Sequence, residues 1–121
     1  MEQIKLFESE LRLMELIWNS APVSAKELTQ LAGEEIGWNK NTTYTVLKKL
    51  VQKGAVEREE PNFVCTPLVT KEQVQRSETN NLIDRLYNGS KKAFFAAFIG
   101  REKLTAEEIE ELKRIIEKRG E

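Results

Sequence analysis

The residues best suited to engage another molecule fall in one stretch of the chain. Between Trp38 and Lys53 the sequence holds Asn41, Thr42 and Thr45, with Lys40, Tyr44, Lys48 and Lys49 around them. On a helix, positions three and four apart share a face, so Asn41, Thr42 and Thr45 would stand together. Their chemistry is hydrogen bonding to planar polar edges. An asparagine amide can pair with adenine, and a threonine can bond a base or touch a thymine methyl. Lys48 and Lys49 lie farther along, where ammonium groups suit phosphates, as does the cation of Lys40. Tyr44 admits two uses, stacking on sugar or phosphate and packing beneath a hairpin. A plainer use of the same residues also stands: Asn41 as a helix cap, the threonines as a solvated face.

Other chemistry is hard to assemble here. The 121 residues include no histidine and a single cysteine, Cys65. Histidine is the commonest general acid–base group and metal ligand, so a zinc or copper site of the usual kind is not expected. The glycines are scattered and form no phosphate-binding loop. We expect no catalytic residues, no metal and no cofactor. Cys65 alternates with Val64 in a strand-like run and reads as a small packed side chain. A lone cysteine cannot close an internal disulfide, which fits a reducing cytoplasm.

These residues must be held by a scaffold, and the punctuation of the sequence describes one. A first helix runs from about Ser9 to Asn19, with Leu11, Met14, Leu16, Ile17 and Trp18 at helical spacing. Ser20-Ala21-Pro22 ends it. Ser24-Ala25-Lys26-Glu27 is a capping box opening a second helix to about Glu35, with Leu28, Leu31 and Ile36 buried. Gly37 permits a sharp turn. Asn39 caps a third helix to about Lys53, striped by Val46, Leu47, Leu50 and Val51, with Gly54 just past its end. Two short strands, Ala55–Glu59 and Phe63–Thr66, flank Glu60-Pro61-Asn62 as a hairpin that stops at Pro67. Three helices followed by a hairpin is the order of a winged helix-turn-helix.

The remainder is helical. A box at Thr70 and Gln73 opens a helix to about Tyr87, and Ser90 caps a short aromatic helix ending at Gly100. Another box, at Thr105 and Glu108, starts a last helix with Ile109, Leu112, Ile115 and Ile116 on one side. Three short helices cannot hide this much apolar surface by themselves. A second copy would cover it, as a symmetric homodimer, through Leu82, Leu86, Tyr87, Phe94, Phe95, Phe98, Ile109, Leu112 and Ile116. The fold class expected is therefore mainly α: a winged helix-turn-helix over residues 1–69 and a helical dimerisation region over 70–121.

Charge agrees with this division. The net charge is −1, yet no Asp or Glu occurs from Ile36 through Val56, where Lys40, Lys48, Lys49 and Lys53 all lie. A local basic face on an acidic chain can still meet phosphates. No apolar run approaches the roughly 20 residues that cross a bilayer. The opening Met1-Glu2-Gln3-Ile4-Lys5 lacks the basic start and apolar core of a signal peptide, so a cytoplasmic location is expected.

Trp38-Asn39-Lys40-Asn41-Thr42-Thr43-Tyr44-Thr45-Val46-Leu47-Lys48-Lys49-Leu50 through Lys53-Gly54-Ala55 resembles the recognition-helix region of the BlaI/MecI/CopY family, the penicillinase and methicillin-resistance repressors. Leu13-Met14-Glu15-Leu16-Ile17-Trp18 is similar to the family's first helix, and Phe63-Val64-Cys65-Thr66-Pro67 to its second wing strand. Asp84-Arg85-Leu86-Tyr87-Asn88-Gly89-Ser90 and Leu104-Thr105-Ala106-Glu107-Glu108-Ile109-Glu110-Glu111-Leu112 resemble its dimerisation region. The resemblance covers nearly the whole chain, in order. It implies a homodimeric transcriptional repressor on a double-stranded dyad operator, and in the antibiotic-resistance branch relief through cleavage set off by a membrane sensor metalloprotease. The chain lacks the cysteine-rich metal-binding tail of the copper branch. It departs from the pattern at two places. The wing turn Glu59-Glu60-Pro61-Asn62 is short and acidic, where family wings often carry Gly and basic residues. The candidate cleavage pair is Ala97-Phe98, where the resistance branch has Asn-Phe.

Two other classes fit the bare residues: a winged helix used only for protein–protein contact, and a small-ligand sensor with Phe94, Phe95 and Phe98 lining a pocket. Steep salt dependence would separate DNA binding from the former.

Overall fold

The computed structural model describes residues 4–120; residues 1–3, part of the stretch read for a leader, and residue 121 lie outside them. The chain divides into two compact units, the first through Thr79 and the second from Asn80. The division falls inside a helix.

In the first unit, α1 spans Glu8–Ser20, β1 Val23–Ser24, α2 Ala25–Glu35, α3 Lys40–Gln52, β2 Val56–Glu59 and β3 Val64–Pro67, and α4, Lys71–Leu86, begins there. Each helix expected by spacing forms within a residue or two of its expected bounds. The caps act as the sequence predicts. Ser24 Oγ accepts the Glu27 N–H at 3.1 Å, and the Glu27 carboxylate accepts the Ser24 N–H at 3.3 Å. Thr70 and Gln73 exchange the same pair of bonds at 3.0 and 2.8 Å. Gly37 and Gly54 take φ of 86° and 80°, a region that costs glycine little, and so bracket α3 with turns.

The sheet is larger than expected. β1 adds to the hairpin in the order β1-β3-β2, all antiparallel, with Val23 opposite Cys65 and Arg58 opposite the same cysteine. A two-residue strand has no alternation to reveal it, so Val23 and Ser24 read only as a link and a cap. Pro67 closes β3 as its last residue and does not stand beyond it.

The core lies where α1, α2, α3 and the sheet meet. Leu13, Met14, Ile17, Leu28, Ala32, Leu47, Leu50, Val56 and Cys65 are fully buried. Leu11, Leu16 and Trp18 are only half-buried, as are Leu31 and Ile36, which were expected inside. They occupy the rim, and Leu13 takes the inner position on α1. Trp18 does more than pack: its indole N–H donates to the Val69 carbonyl at 2.9 Å, tying down the chain between β3 and α4. Val74 buries in the same core, and Lys71 pairs with Glu15 at 3.0 Å.

In the second unit, the rest of α4 is followed by α5, Lys91–Arg101, and α6, Ala106–Arg119. Asn88 and Gly89, both at positive φ, turn the chain between α4 and α5. Gly100 does not end α5; it is helical, and the end comes after Arg101, where Glu102 N–H bonds the Phe98 carbonyl at 3.1 Å. Tyr87, Phe94, Phe95 and Phe98 form an edge-and-stack cluster, with ring centres 5.1 to 6.0 Å apart. Ile83 is buried, but neither α5 nor α6 has a buried residue. No helix among the described residues is long and apolar enough to cross a membrane.

The opposite sides of α3 should respond differently to truncation. Leu47→Ala removes a fully buried side chain and should lower unfolding free energy by about 2–5 kcal/mol. Thr45→Ala, on the exposed side, should not lower it, since surface changes usually stay within about 0.5 kcal/mol. Urea titrations of both variants check the contrast.

Candidate nucleic-acid interface

The site is one side of α3, and its exposure follows from what the other side buries. Thr43, Val46, Leu47 and Leu50 face the core. At about 100° per residue, Asn41, Thr42, Thr45, Lys48 and Lys49 fall within an arc of roughly 120° on the far side. All five are exposed. Asn39 is the cap, its side-chain oxygen accepting the Thr42 N–H at 2.8 Å, so Asn41 is not spent on capping and its amide is open. Thr43 Oγ1 turns inward to the Asn39 carbonyl at 3.3 Å. The first turn of α3 holds no acid, which leaves its N-terminal partial positive charge unopposed.

Thr45 Oγ1 donates to the Asn41 carbonyl at 2.9 Å. With its proton so engaged the hydroxyl still has lone pairs to accept with, and it must turn to donate elsewhere. Lys48 and Lys49 sit one turn farther on without a carboxylate partner among the described residues. Lys40 and Tyr44 stand together on the flank of this arc, the Lys40 ammonium 5.9 Å from the Tyr44 ring centre. Tyr44 is half-buried against the core cluster, so of its two expected uses packing takes most of the ring. Trp38 is likewise half-buried against the core, and its backbone N–H donates to the Ala32 carbonyl at 3.3 Å in the α2–α3 turn.

The basic stretch is smaller than its sequence suggests. Lys53 is not on the open face; its ammonium is 2.6 Å from the buried carboxylate of Glu10. Glu10 carried no signal in the sequence, because an acid in the first turn of a helix ordinarily faces water. The wing's cation is Arg58, which is exposed. Arg58 lies over the Phe63 ring at 4.9 Å, and Glu57, Glu59 and Glu60 are exposed beside it. Cys65 is fully buried, and burial pushes its thiol pKa up against the opposing charge of Arg58. A buried thiol held protonated is poorly reactive.

The remaining expected residues lie in the second unit. Leu86, Phe95, Phe98, Ile109, Leu112 and Ile116 are exposed, and Leu82, Tyr87 and Phe94 are half-buried. Ala97 and Phe98 lie within helical α5, the first half-buried and the second exposed.

Comparison with known proteins bears on this arrangement. The penicillinase repressor of Bacillus licheniformis is 27% identical over 115 residues, covering 93% of this chain and 90% of that protein. The methicillin resistance regulatory protein MecI of Staphylococcus aureus is 26% identical over 117 residues, 95% of each chain. A solution structure of the DNA binding domain of the repressor BlaI superposes with a TM-score of 0.54 at 26% identity, over 60% of this chain and 93% of that one. A second solution structure, of monomeric Bacillus licheniformis BlaI in complex with the blaP half-operator, gives 0.52 at 28% identity over the same shares. The family model described as Penicillinase repressor matches residues 6–118. Nearly the whole chain thus carries the family's pattern, and the protein belongs to the penicillinase repressor family, whose members are transcriptional repressors and not enzymes.

Proposed function

We propose that this protein is a cytoplasmic homodimeric repressor that binds a dyad operator in double-stranded DNA. Residues 1–69 would read the DNA and residues 70–121 would pair the two copies. The observation that carries the reading is the undivided polar face of α3, with Asn41, Thr42 and Thr45 at the N-terminal end and Lys48 and Lys49 behind them. A recognition helix enters the major groove and reads base edges near its N-terminus, and this face has hydrogen-bonding groups there and cations where phosphates would pass. The relative solved with a half-operator supports the same use here. A symmetric pair would place one such helix in each half-site.

The second unit supports the pairing. α5 and α6 have no fully buried residue, and Leu86, Phe98 and Ile116 are 68%, 51% and 65% exposed. Apolar faces of this kind are what interface cores are made from. We assign the regulated gene to the penicillin-resistance type on family membership. Relief by a sensor metalloprotease meets an obstacle at Ala97–Phe98. A protease selecting Asn-Phe finds no side-chain amide there, and the bond is part of a helix. The wing sets a single cation, Arg58, among the exposed Glu57, Glu59 and Glu60, so α3 and its surroundings would supply most of the affinity.

Sedimentation at micromolar concentration should give twice the 14.0 kDa chain mass; a monomer there would remove the basis for a dyad operator. Replacing Thr42 or Thr45 by Ala should cost about 1–3 kcal/mol on the operator and little on random DNA, because a base contact specifies. Replacing Lys48 or Lys49 by Ala should weaken both DNAs alike and flatten the salt slope by about one unit, because a phosphate contact only positions. Titrations on both duplexes at several salt concentrations distinguish the patterns; threonine variants that lose both affinities equally, or neither, would mean that another surface reads the DNA.

A further inference from the structure

Glu10, on the first turn of α1, is 1% exposed. Its Oε1 gathers partners from separate segments, accepting the Phe7 N–H at 2.7 Å and the Lys53 ammonium at 2.6 Å. Lys53 is the residue that caps the C-terminal end of α3. The same ammonium donates to the Lys5 carbonyl at 2.8 Å and stands 4.5 Å from the centre of the Phe7 ring. Carboxylate, carbonyl and ring face surround the ammonium on these sides, and the Lys53 side chain keeps 29% exposure where that of Glu10 keeps 1%. The other Glu10 oxygen, Oε2, is buried without a hydrogen-bond partner among the described residues.

A buried ion pair is a poor source of stability. Desolvating the Glu10 carboxylate, and in part the Lys53 ammonium, offsets much of their attraction, and apolar replacements of similar size are often neutral or better. What such a pair supplies is direction. The apolar packing of Val46, Leu47 and Leu50 is non-directional and resists separation of α3 from α1 more than it resists roll or tilt. A short, charge-assisted bond at one end removes that freedom.

We propose that Glu10 and Lys53 are positioning residues for operator recognition: by locking the end of α3 to the start of α1, they set the pose at which Asn41, Thr42 and Thr45 meet base edges. The inference rests on the reading of α3 as the DNA-contacting helix. At 1.5 Å per residue α3 is about 20 Å long, so a tilt of a few degrees moves an end by about 1 Å. Contacts of this kind need placement to about 0.5 Å. Lys48 and Lys49, on long flexible stems, follow a phosphate through such a movement. Loss of the lock should therefore erode discrimination between DNAs more than affinity for DNA as such.

The test uses the full chain and two duplexes of equal length, one selected on the wild-type protein from a randomised library and one of arbitrary sequence. The paired variant Glu10→Met with Lys53→Met removes both charges together, and Lys53→Arg keeps the ion pair. Thermal melting establishes folding, and affinities for both duplexes give the discrimination ratio. We expect the paired variant to melt near the wild type with a ratio about tenfold lower, the value of one weakened base contact. Lys53→Arg should keep the ratio. A folded paired variant with wild-type discrimination, or with equal loss on both duplexes, overturns the proposal. So does a paired variant that fails to fold, since the pair would then be needed for stability itself. A wild-type chain that does not separate the two duplexes instead removes the assignment of α3 as reader, and this inference with it.

Discussion

The burial of one side of α3 is the constraint from which the rest of this protein follows. Val46, Leu47 and Leu50, with Thr43 among them, enter a core already lined by Leu13, Met14 and Ile17 of α1 and Leu28 of α2. Each buried aliphatic side chain contributes about 1.5–3 kcal/mol relative to exposure, so the helix cannot rotate by a full position without placing Lys48 or Lys49 inside. The exposed arc is thereby chosen by what it is not. Asn41, Thr42, Thr45, Lys48 and Lys49 are presented together because their neighbours are held, and recognition here is the outward consequence of packing.

The hairpin and β1 serve the same end from the other side. Cys65 pairs across to both Val23 and Arg58, so β3 is the central strand, buried at that residue and bonded along both edges. Ala25 N–H bonds the Phe63 carbonyl at 3.0 Å, which joins the start of α2 to the wing turn. The indole of Trp18 then holds Val69. These ties draw successive segments onto α1 and leave the wing tip, with its exposed acids, as the part of the first unit that contributes least to the core. A net charge of −1 is compatible with a polyanionic partner because the exposed side of α3 carries Lys48 and Lys49 and no carboxylate.

The second unit follows another logic. Its helices are well capped: Thr105 and Glu108 exchange bonds of 3.0 Å, and the Thr105 N–H and hydroxyl hold the Glu108 carboxyl below the usual carboxylate range. Yet capping fixes helices only locally. α6 has clear apolar and polar sides and buries neither. Short helices of this length gain most of their stability from tertiary contacts, and here a single chain supplies few of them.

By itself the sequence determined the helices, their caps and the side of α3 that faces outward. Those properties are local: they depend on spacing at 3.6 residues per turn, on Ser24, Asn39, Thr70, Ser90 and Thr105 at helix starts, and on glycines where φ turns positive. The penicillinase repressor resemblance was legible for the same reason, since it is carried by contiguous runs. Tertiary structure decided what depends on residues far apart in the chain. β1 exists only because β3 lies beside it. Tyr44 could have faced outward or inward until the core took its ring. Lys53 read as one more cation of a basic stretch, and it became the partner of Glu10 because the end of α3 comes to rest on the start of α1, 43 positions away. No periodicity or motif spans that distance, and a buried ion pair is a property of the meeting of two segments, visible only once they have met.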